Sequence, residues 1–133
     1  INEVKTFASI GKNIGIAFQI KDDLLDYECN NTKMGKPKLK EFKEGKITLP
    51  LFYALQSNAS NRNFLLSKLG KKISKKDERE VSKYILSGES LLVTKKTMHG
   101  YISLAAKNIA RLKTHPSYDE MLELLEFIQG REK

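Results

Sequence analysis

The sequence predicts an all-α protein, and three observations support this prediction. Apolar residues recur at the three- and four-residue spacing of a helix face in one segment after another. Two segments begin with a pattern resembling a capping box, in which a serine precedes an acidic residue by three positions, at Ser74–Asp77 and Ser117–Glu120. No segment shows the strict alternation of apolar and polar residues that is typical of a strand.

The first predicted helix starts near the beginning of the chain and ends at about Tyr27, before a break at Glu28–Thr32. Its apolar positions are Val4, Phe7, Ala8, Ile10, Ile14 and Ala17. Gly11 and Gly15 share one face of this helix. Since glycine weakens a helix by about 1 kcal/mol relative to alanine, the pair predicts close approach by a neighbouring helix or a ligand.

The segment Asn30–Glu44 is predicted to be a loop, because it combines asparagine, glycine, proline and many lysines. The remaining helices are predicted at Thr48–Asn58, at Arg62–Leu69, from the Ser74 cap to Gly88, at Glu89–Thr114, and from Ser117 to near the end of the chain. We interpret everything after about residue 58 as a structural scaffold and assign it no chemistry.

The end of the first helix carries the aspartates Asp22, Asp23 and Asp26. Asp22 and Asp26 lie four positions apart and share a face, with Gln19 one turn earlier. Two carboxylates at this spacing repel each other by roughly a few tenths of a kcal/mol, and apolar neighbours raise the cost of their charges. A bound cation would remove both costs, and Mg²⁺ takes one or two carboxylates together with substrate phosphates. The alternative for such a string is a solvated acidic face.

Lysines and turn residues follow these aspartates. They occur in Gly35-Lys36-Pro37 and in Glu44-Gly45-Lys46-Ile47-Thr48-Leu49-Pro50, with Glu41 between the two segments. Carboxylates can hold Mg²⁺, Mg²⁺ can hold a diphosphate, and lysines can neutralise the remaining oxygens. The alternative for Lys36 and Lys46 is ordinary solvated charge.

Together, the stretches Gly15–Tyr27, Gly35–Pro37 and Glu44–Pro50 resemble the second aspartate-rich region of the trans-isoprenyl diphosphate synthases. The resemblance is greatest to the long-chain polyprenyl, octaprenyl-type branch, and it is close from about Gly11 to Leu55. It implies that residues 1–133 form the C-terminal portion of an isoprenoid-synthase-type helical bundle, without the N-terminal half that carries the first aspartate-rich motif.

For the metal, the resemblance implies Mg²⁺ with Asp22 as a direct ligand. Asp23 and Asp26 would be further ligands or would hold metal-bound waters in place. Glu41 stands where the family usually has aspartate, and would be a partner of those waters. Leu39 stands where the family pattern usually has glycine, so the loop geometry is expected to depart from the family at this point.

For the substrates, the resemblance implies isopentenyl diphosphate and an allylic diphosphate. Gln19 would lie near the allylic diphosphate and the developing carbocation, and Phe18 would border the isopentenyl diphosphate pocket. Lys36 would contact the allylic diphosphate, and Lys46 would support the same charge. The implied enzyme is a prenyltransferase that makes a polyprenyl diphosphate and forms a homodimer. Because half of the metal site would be missing, we expect residues 1–133 alone to be inactive and, with an exposed apolar face, to self-associate.

Composition narrows the classes of function and location that the chain can have. The formal net charge of +8 could suit nucleic acid, but aromatic residues do not interleave with the lysines as a base-stacking surface requires, so we predict no nucleic-acid binding. No apolar run approaches the ~20 residues that span a bilayer. Cys29 is the only cysteine, so an internal disulfide is excluded and a reducing, cytoplasmic location is favoured.

Two alternative functions stay open. The first is a non-catalytic partner or regulatory subunit with the same fold, which the retention of all three aspartates and of Lys36 and Lys46 disfavours. The second is a cation-binding helical module, although the twelve-residue loop spacing of a calcium site is not present.

Overall fold

The computed structural model describes residues 2–28 and 38–130, and the regular secondary structure in these residues is entirely helical. The helices are α1 (Glu3–Tyr27), α2 (Lys40–Lys43), α3 (Leu49–Ser57), α4 (Ala59–Lys68), α5 (Lys75–Leu86), α6 (Glu89–Ala110) and α7 (Tyr118–Gly130). Since the described residues contain no strand, the predicted all-α class is confirmed.

The chain divides into two compact units. The terminal unit contains Ile1–Lys21 and Lys96–Lys133, and the central unit contains Asp22–Lys95. Both divisions fall within a helix, one in α1 and one in α6. The predicted metal ligands and Lys46 all belong to the central unit.

The terminal unit has an apolar core that follows the predicted helix faces. Its buried residues are Ile10, Ile14, Ala17 and Ile20 from α1, Met98, Ile102, Ala105 and Ile109 from α6, Leu112, and Met121, Leu125 and Ile128 from α7. The Asn108 side-chain amide donates to the Ser9 hydroxyl at 2.9 Å. The Phe7 and His115 rings meet edge to face, with their centroids 5.0 Å apart. These contacts join α1 to the C-terminal part of the chain within this unit.

The central unit is built around a second core. Its fully buried members are Tyr27, Leu39, Phe42, Leu51, Ala54, Leu65, Val81 and Ile85. Helices α3, α4 and α5 contact one another around this core. Tyr27 is the last residue of α1, so the helix that carries the aspartates ends inside the core of this unit.

Two helix boundaries differ from prediction for local reasons. Helix α4 begins at Ala59 rather than near Arg62, because the Asn58 side chain accepts hydrogen bonds from the Ser60 and Asn61 N–H groups at 2.8 and 3.3 Å. Helix α6 ends at Ala110, short of Thr114, and the chain continues in turns. The Ser74 cap is confirmed, since the Ser74 hydroxyl accepts from the Asp77 N–H at 3.1 Å.

The predicted loop is wrong at Lys40–Lys43, which forms α2. This short helix is held by long-range contacts, because Phe42 and the preceding Leu39 are fully buried in the central core. Positions 30–37 of the predicted loop lie outside the described residues.

No described residue makes the close approach predicted at the α1 glycines, and approach by a ligand stays a prediction. A Cβ atom added at Gly11 or at Gly15 would meet no atom within 4 Å. Both positions are exposed. Close glycine packing occurs elsewhere, between Gly45 and Gly70, as described below.

Candidate functional site

The three aspartates at the end of α1 lie in different environments. Asp22 and Asp23 are half-buried, whereas Asp26 is buried, with 8% of its surface exposed. All three lie within the last two turns of α1, as predicted. Asp22 and Asp23 therefore keep more exposed surface than Asp26 does.

Asp26 accepts hydrogen bonds from three consecutive backbone N–H groups. Its Oδ1 accepts from the Lys40 N–H at 2.9 Å, and its Oδ2 accepts from the Glu41 N–H at 3.1 Å. Its backbone carbonyl accepts from the Leu39 N–H at 2.9 Å. Asp26 thus links the end of α1 to the start of α2.

Leu39 has the left-handed backbone conformation, with φ 50° and ψ 30°. A left-handed residue followed by a right-handed one points successive N–H groups at a common point, a backbone nest that binds an anion. Here we use "nest" for the N–H groups of Lys40 and Glu41, and the anion they hold is the Asp26 carboxylate. Leu39 is also the position where the resembled pattern usually has glycine, the residue that adopts this conformation at least cost.

Burial and hydrogen bonding act on Asp26 in opposite directions. Burial raises the pKa of its carboxyl above the ordinary value of 3.8, and this effect dominates. The N–H groups of Lys40 and Glu41 stabilise the charged form and lower the pKa, as does the positive charge of Lys38. The nest therefore offsets only part of the cost of a buried carboxylate.

Lys46 lies shortly after the end of α2 and pairs with two glutamates. Its Nζ is 3.1 Å from Glu41 Oε2 and 3.2 Å from Glu44 Oε2. Hydrogen bonding to Glu41, and then to Glu44, raises the pKa of the Lys46 ammonium, which stays charged. The side chain remains largely exposed, so its charge is accessible to a ligand in solution.

The turn that carries Lys46 packs against a glycine far along the chain. Gly45 and Gly70 have positive φ values of 83° and 72°, and a Cβ on Gly70 would lie 3.5 Å from the Gly45 Cα. The Phe42 carbonyl accepts from both the Gly45 and the Gly70 N–H, each at 3.0 Å. Gly70 lies well outside the three stretches that carry the resemblance. In the sequence it predicts only the end of a helix.

Hydrogen bonds at Tyr27 connect α1 to two further elements. The Tyr27 hydroxyl is 3.0 Å from the Thr48 hydroxyl at the start of α3. The buried Ser82 hydroxyl on α5 donates to the Tyr27 carbonyl. Burial raises the pKa of the Tyr27 phenol, which stays neutral. Sequence reasoning missed Ser82, because a single serine on a helix carries no signal for a long-range contact.

The other predicted site residues lie on α1 or outside the described residues. Gln19 is exposed and Phe18 half-buried on α1, within the terminal unit, and their predicted roles stay predictions. Lys36 lies outside the described residues, so its role also stays a prediction. The structure brings Asp26, Glu41 and Lys46 together through direct contacts.

The carboxylates of Asp22 and Asp23, at the end of α1, suit part of a magnesium site. Across residues 2–28 and 38–130, no group of three or more His, Cys, Asp or Glu side chains is arranged to hold a metal ion. Mg²⁺ needs only one or two carboxylates when substrate phosphates and waters complete its shell. Asp22 and Asp23 fit that smaller requirement, because they are hard oxygen ligands and are only half-buried.

Comparison with known proteins identifies the family. The family described as "Polyprenyl synthetase" matches residues 2–87, which is more than half of the chain and includes the acidic turn, α2 and Lys46. The chain belongs to the polyprenyl synthetase family. As expected for this family, its curated relatives include the human all trans-polyprenyl-diphosphate synthase PDSS1, which is 29% identical over 123 residues, 92% of this chain and 29% of that protein.

This member of the polyprenyl synthetase family is similar to two further curated proteins. The geranylgeranyl diphosphate synthase of Saccharolobus solfataricus is 32% identical over 110 residues, 82% of this chain and 33% of the relative. The prenyl transferase of Cyanidium caldarium is 32% identical over 136 residues, 96% of this chain and 38% of the relative. The chain thus spans about a third of the length of these relatives. No solved structure gives a significant match.

Proposed function

We propose that residues 1–133 are the C-terminal portion of a trans-polyprenyl diphosphate synthase. In the proposed reaction an allylic diphosphate ionises, and its diphosphate leaves. The double bond of isopentenyl diphosphate attacks the resulting carbocation. Loss of a proton then gives an allylic diphosphate that is one isoprene unit longer.

The observation that carries this proposal is the contact between the acidic turn and the Lys46 turn, inside the family match. The Asp26 carboxylate accepts from Glu41, and the Glu41 carboxylate pairs with Lys46. A set of acids for a metal and a cation for a diphosphate are thereby tied to each other within one compact unit. A metal–diphosphate complex needs both kinds of group, carboxylates for the metal and a cation for the diphosphate oxygens.

Asp22 and Asp23 would hold Mg²⁺ in this proposal. When bound, the ion supplies Lewis-acid stabilisation of the negative charge on the leaving diphosphate. The chain's own contribution is electrostatic: Lys46 would neutralise diphosphate oxygens, and its ammonium would exchange its contacts with Glu41 and Glu44 for them. No side chain needs to act as a nucleophile.

Other roles in the proposal come from the resemblance and from composition. Gln19 and Lys36 are proposed to act at the allylic diphosphate, and Phe18 at isopentenyl diphosphate. A homodimer and a cytoplasmic location are proposed as well. None of the described helices is long and apolar enough to cross a membrane.

Calorimetric titration of the chain with Mg²⁺, in the presence and absence of inorganic pyrophosphate, tests the proposal. We expect pyrophosphate to raise Mg²⁺ affinity by about tenfold, which corresponds to about 1.4 kcal/mol. Asp22→Asn should remove this gain. Asp119→Asn is the matched control, since Asp119 is an exposed aspartate in the first turn of α7. If wild-type chain binds neither Mg²⁺ nor pyrophosphate, the proposal is wrong.

A further inference from the structure

We infer that Asp26 is a positioning residue for the Lys46 turn rather than a ligand of the metal. Asp26 therefore has a different role from Asp22 and Asp23. Its consequence for diphosphate binding rests on the function proposed above, whereas its structural part concerns only contacts within the central unit.

Both oxygens of the Asp26 carboxylate accept hydrogen bonds from the backbone at the start of α2. Oδ1 accepts from the Lys40 N–H and Oδ2 from the Glu41 N–H, at 2.9 and 3.1 Å. The residue is also buried, unlike Asp22 and Asp23. A metal bound to Asp26 would have to share this carboxylate with the two N–H groups that already hold its charge.

The backbone of Leu39 lies in the left-handed region. A non-glycine residue is strained there and persists only where its surroundings hold it. Leu39 is held by its N–H bond to the Asp26 carbonyl at 2.9 Å and by complete burial of its side chain. The main chain and the side chain of Asp26 thus act together to maintain one turn.

Direct contacts connect that turn to Lys46. The Glu41 N–H binds Asp26, the Glu41 carboxylate binds the Lys46 ammonium at 3.1 Å, and the Glu41 carbonyl accepts from the Lys46 N–H at 2.9 Å. Glu41 is therefore fixed at its N–H by Asp26 and fixes Lys46 through two other groups. Loss of the Asp26 carboxylate should displace the cation, although Asp26 does not touch it.

Amide hydrogen exchange tests the structural part, with Asp26→Asn and Asp26→Ala compared with wild-type chain. Asparagine retains one acceptor oxygen for the nest, and alanine retains none. We expect exchange of the Lys40, Glu41 and Lys46 amides to accelerate by about fivefold in Asp26→Asn and further in Asp26→Ala, while the Ala105 amide in α6 is unchanged. Unchanged exchange at Glu41 and Lys46 would overturn the inference.

Ligand titration tests the functional part. We expect Asp26→Asn to leave Mg²⁺ affinity within about twofold of wild type and to weaken metal-free pyrophosphate binding about threefold or more, while Asp22→Asn shows the reverse pattern. In a Lys46→Met background, Asp26→Asn should have no further effect on pyrophosphate. An Asp26→Asn loss of Mg²⁺ affinity equal to that of Asp22→Asn would overturn the inference, as would an additive double variant. If wild type binds no ligand, the proposed function fails, and the exchange experiment still decides the role of Asp26.

Discussion

At the scale of single residues, the three aspartates of the motif have different physical roles. Sequence spacing correctly placed them in the last turns of one helix, and it favoured Asp22 and Asp26 as the pair that shares a face. It could not indicate that the Asp26 carboxylate would be taken up by N–H groups from Lys40 and Glu41, fourteen and fifteen residues further on. Such contacts depend on the path of the intervening chain, which residue type and spacing do not determine.

The Asp26 environment predicts a pH dependence of stability. Burial raises the folded pKa of this carboxyl above its ordinary value of 3.8, so the folded chain binds its proton more tightly than the unfolded chain does. The contribution of Asp26 to stability is therefore fully present below that ordinary value and is lost as pH rises through the folded pKa.

This dependence is measured by comparing urea unfolding of wild type and Asp26→Asn from acidic to neutral pH. The stability of wild type relative to Asp26→Asn should decrease as pH rises, because only wild type titrates at this position. Asp119→Asn controls for general charge effects on the exposed surface. A wild-type advantage that grows with rising pH would show that the folded pKa is lowered rather than raised.

At the scale of helices, apolar periodicity predicted the long elements and failed for the shortest one. Helices α1, α3, α5 and α6 have enough turns for a buried face to repeat. Helix α2 is a single turn, and its stability comes from the burial of Phe42 and from the Asp26 bonds rather than from its own sequence. The lysines around it are also typical of a loop, which is why this segment was predicted to be one.

Glycine substitutions test two different uses of glycine in these elements. Gly11→Ala should stabilise the chain by up to about 1 kcal/mol, because Gly11 is helical and a Cβ there meets no described atom within 4 Å. Gly70→Ala should destabilise it by about 1–2 kcal/mol, because Gly70 has a left-handed φ of +72°. Chemical denaturation measures both.

Gly88→Ala is the matched control for Gly70→Ala. Gly88 has a similar φ of +68° but nothing within 4 Å of its Cβ position, whereas a Cβ at Gly70 would make an ordinary contact with Gly45. Similar losses at the two positions would show that backbone conformation determines the need for glycine. A much larger loss at Gly70 would show that the packing against Gly45 determines it.

At the scale of the whole molecule, the fold class and the family could be predicted from the sequence, whereas the internal supports of the site could not. Three short stretches in order were enough to indicate the family that the match over residues 2–87 shows. Ser82 and Gly70 support the site from α5 and from the turn after α4, and neither belongs to a recognisable pattern.

The exposed apolar residues support the predicted self-association. Val4, Leu92 and Phe127 have 78%, 68% and 62% of their surfaces exposed. We expect light scattering to show association that increases with concentration, together with binding of an apolar dye. Leu92→Lys should reduce both relative to Ser67→Lys, a control at an exposed polar position. A monomer that binds no dye would contradict the prediction.

The central claim is that the acidic end of α1 holds magnesium that carries a diphosphate, with Lys46 on the anion. A crystal structure of the chain with Mn²⁺, as an anomalous stand-in for Mg²⁺, and pyrophosphate tests it most directly. We expect the metal on Asp22 or Asp23, pyrophosphate within hydrogen-bonding distance of Lys46, and Asp26 still bonded to the Lys40 and Glu41 N–H groups. Metal density remote from Asp22 and Asp23, or pyrophosphate bound away from Lys46, would contradict the claim.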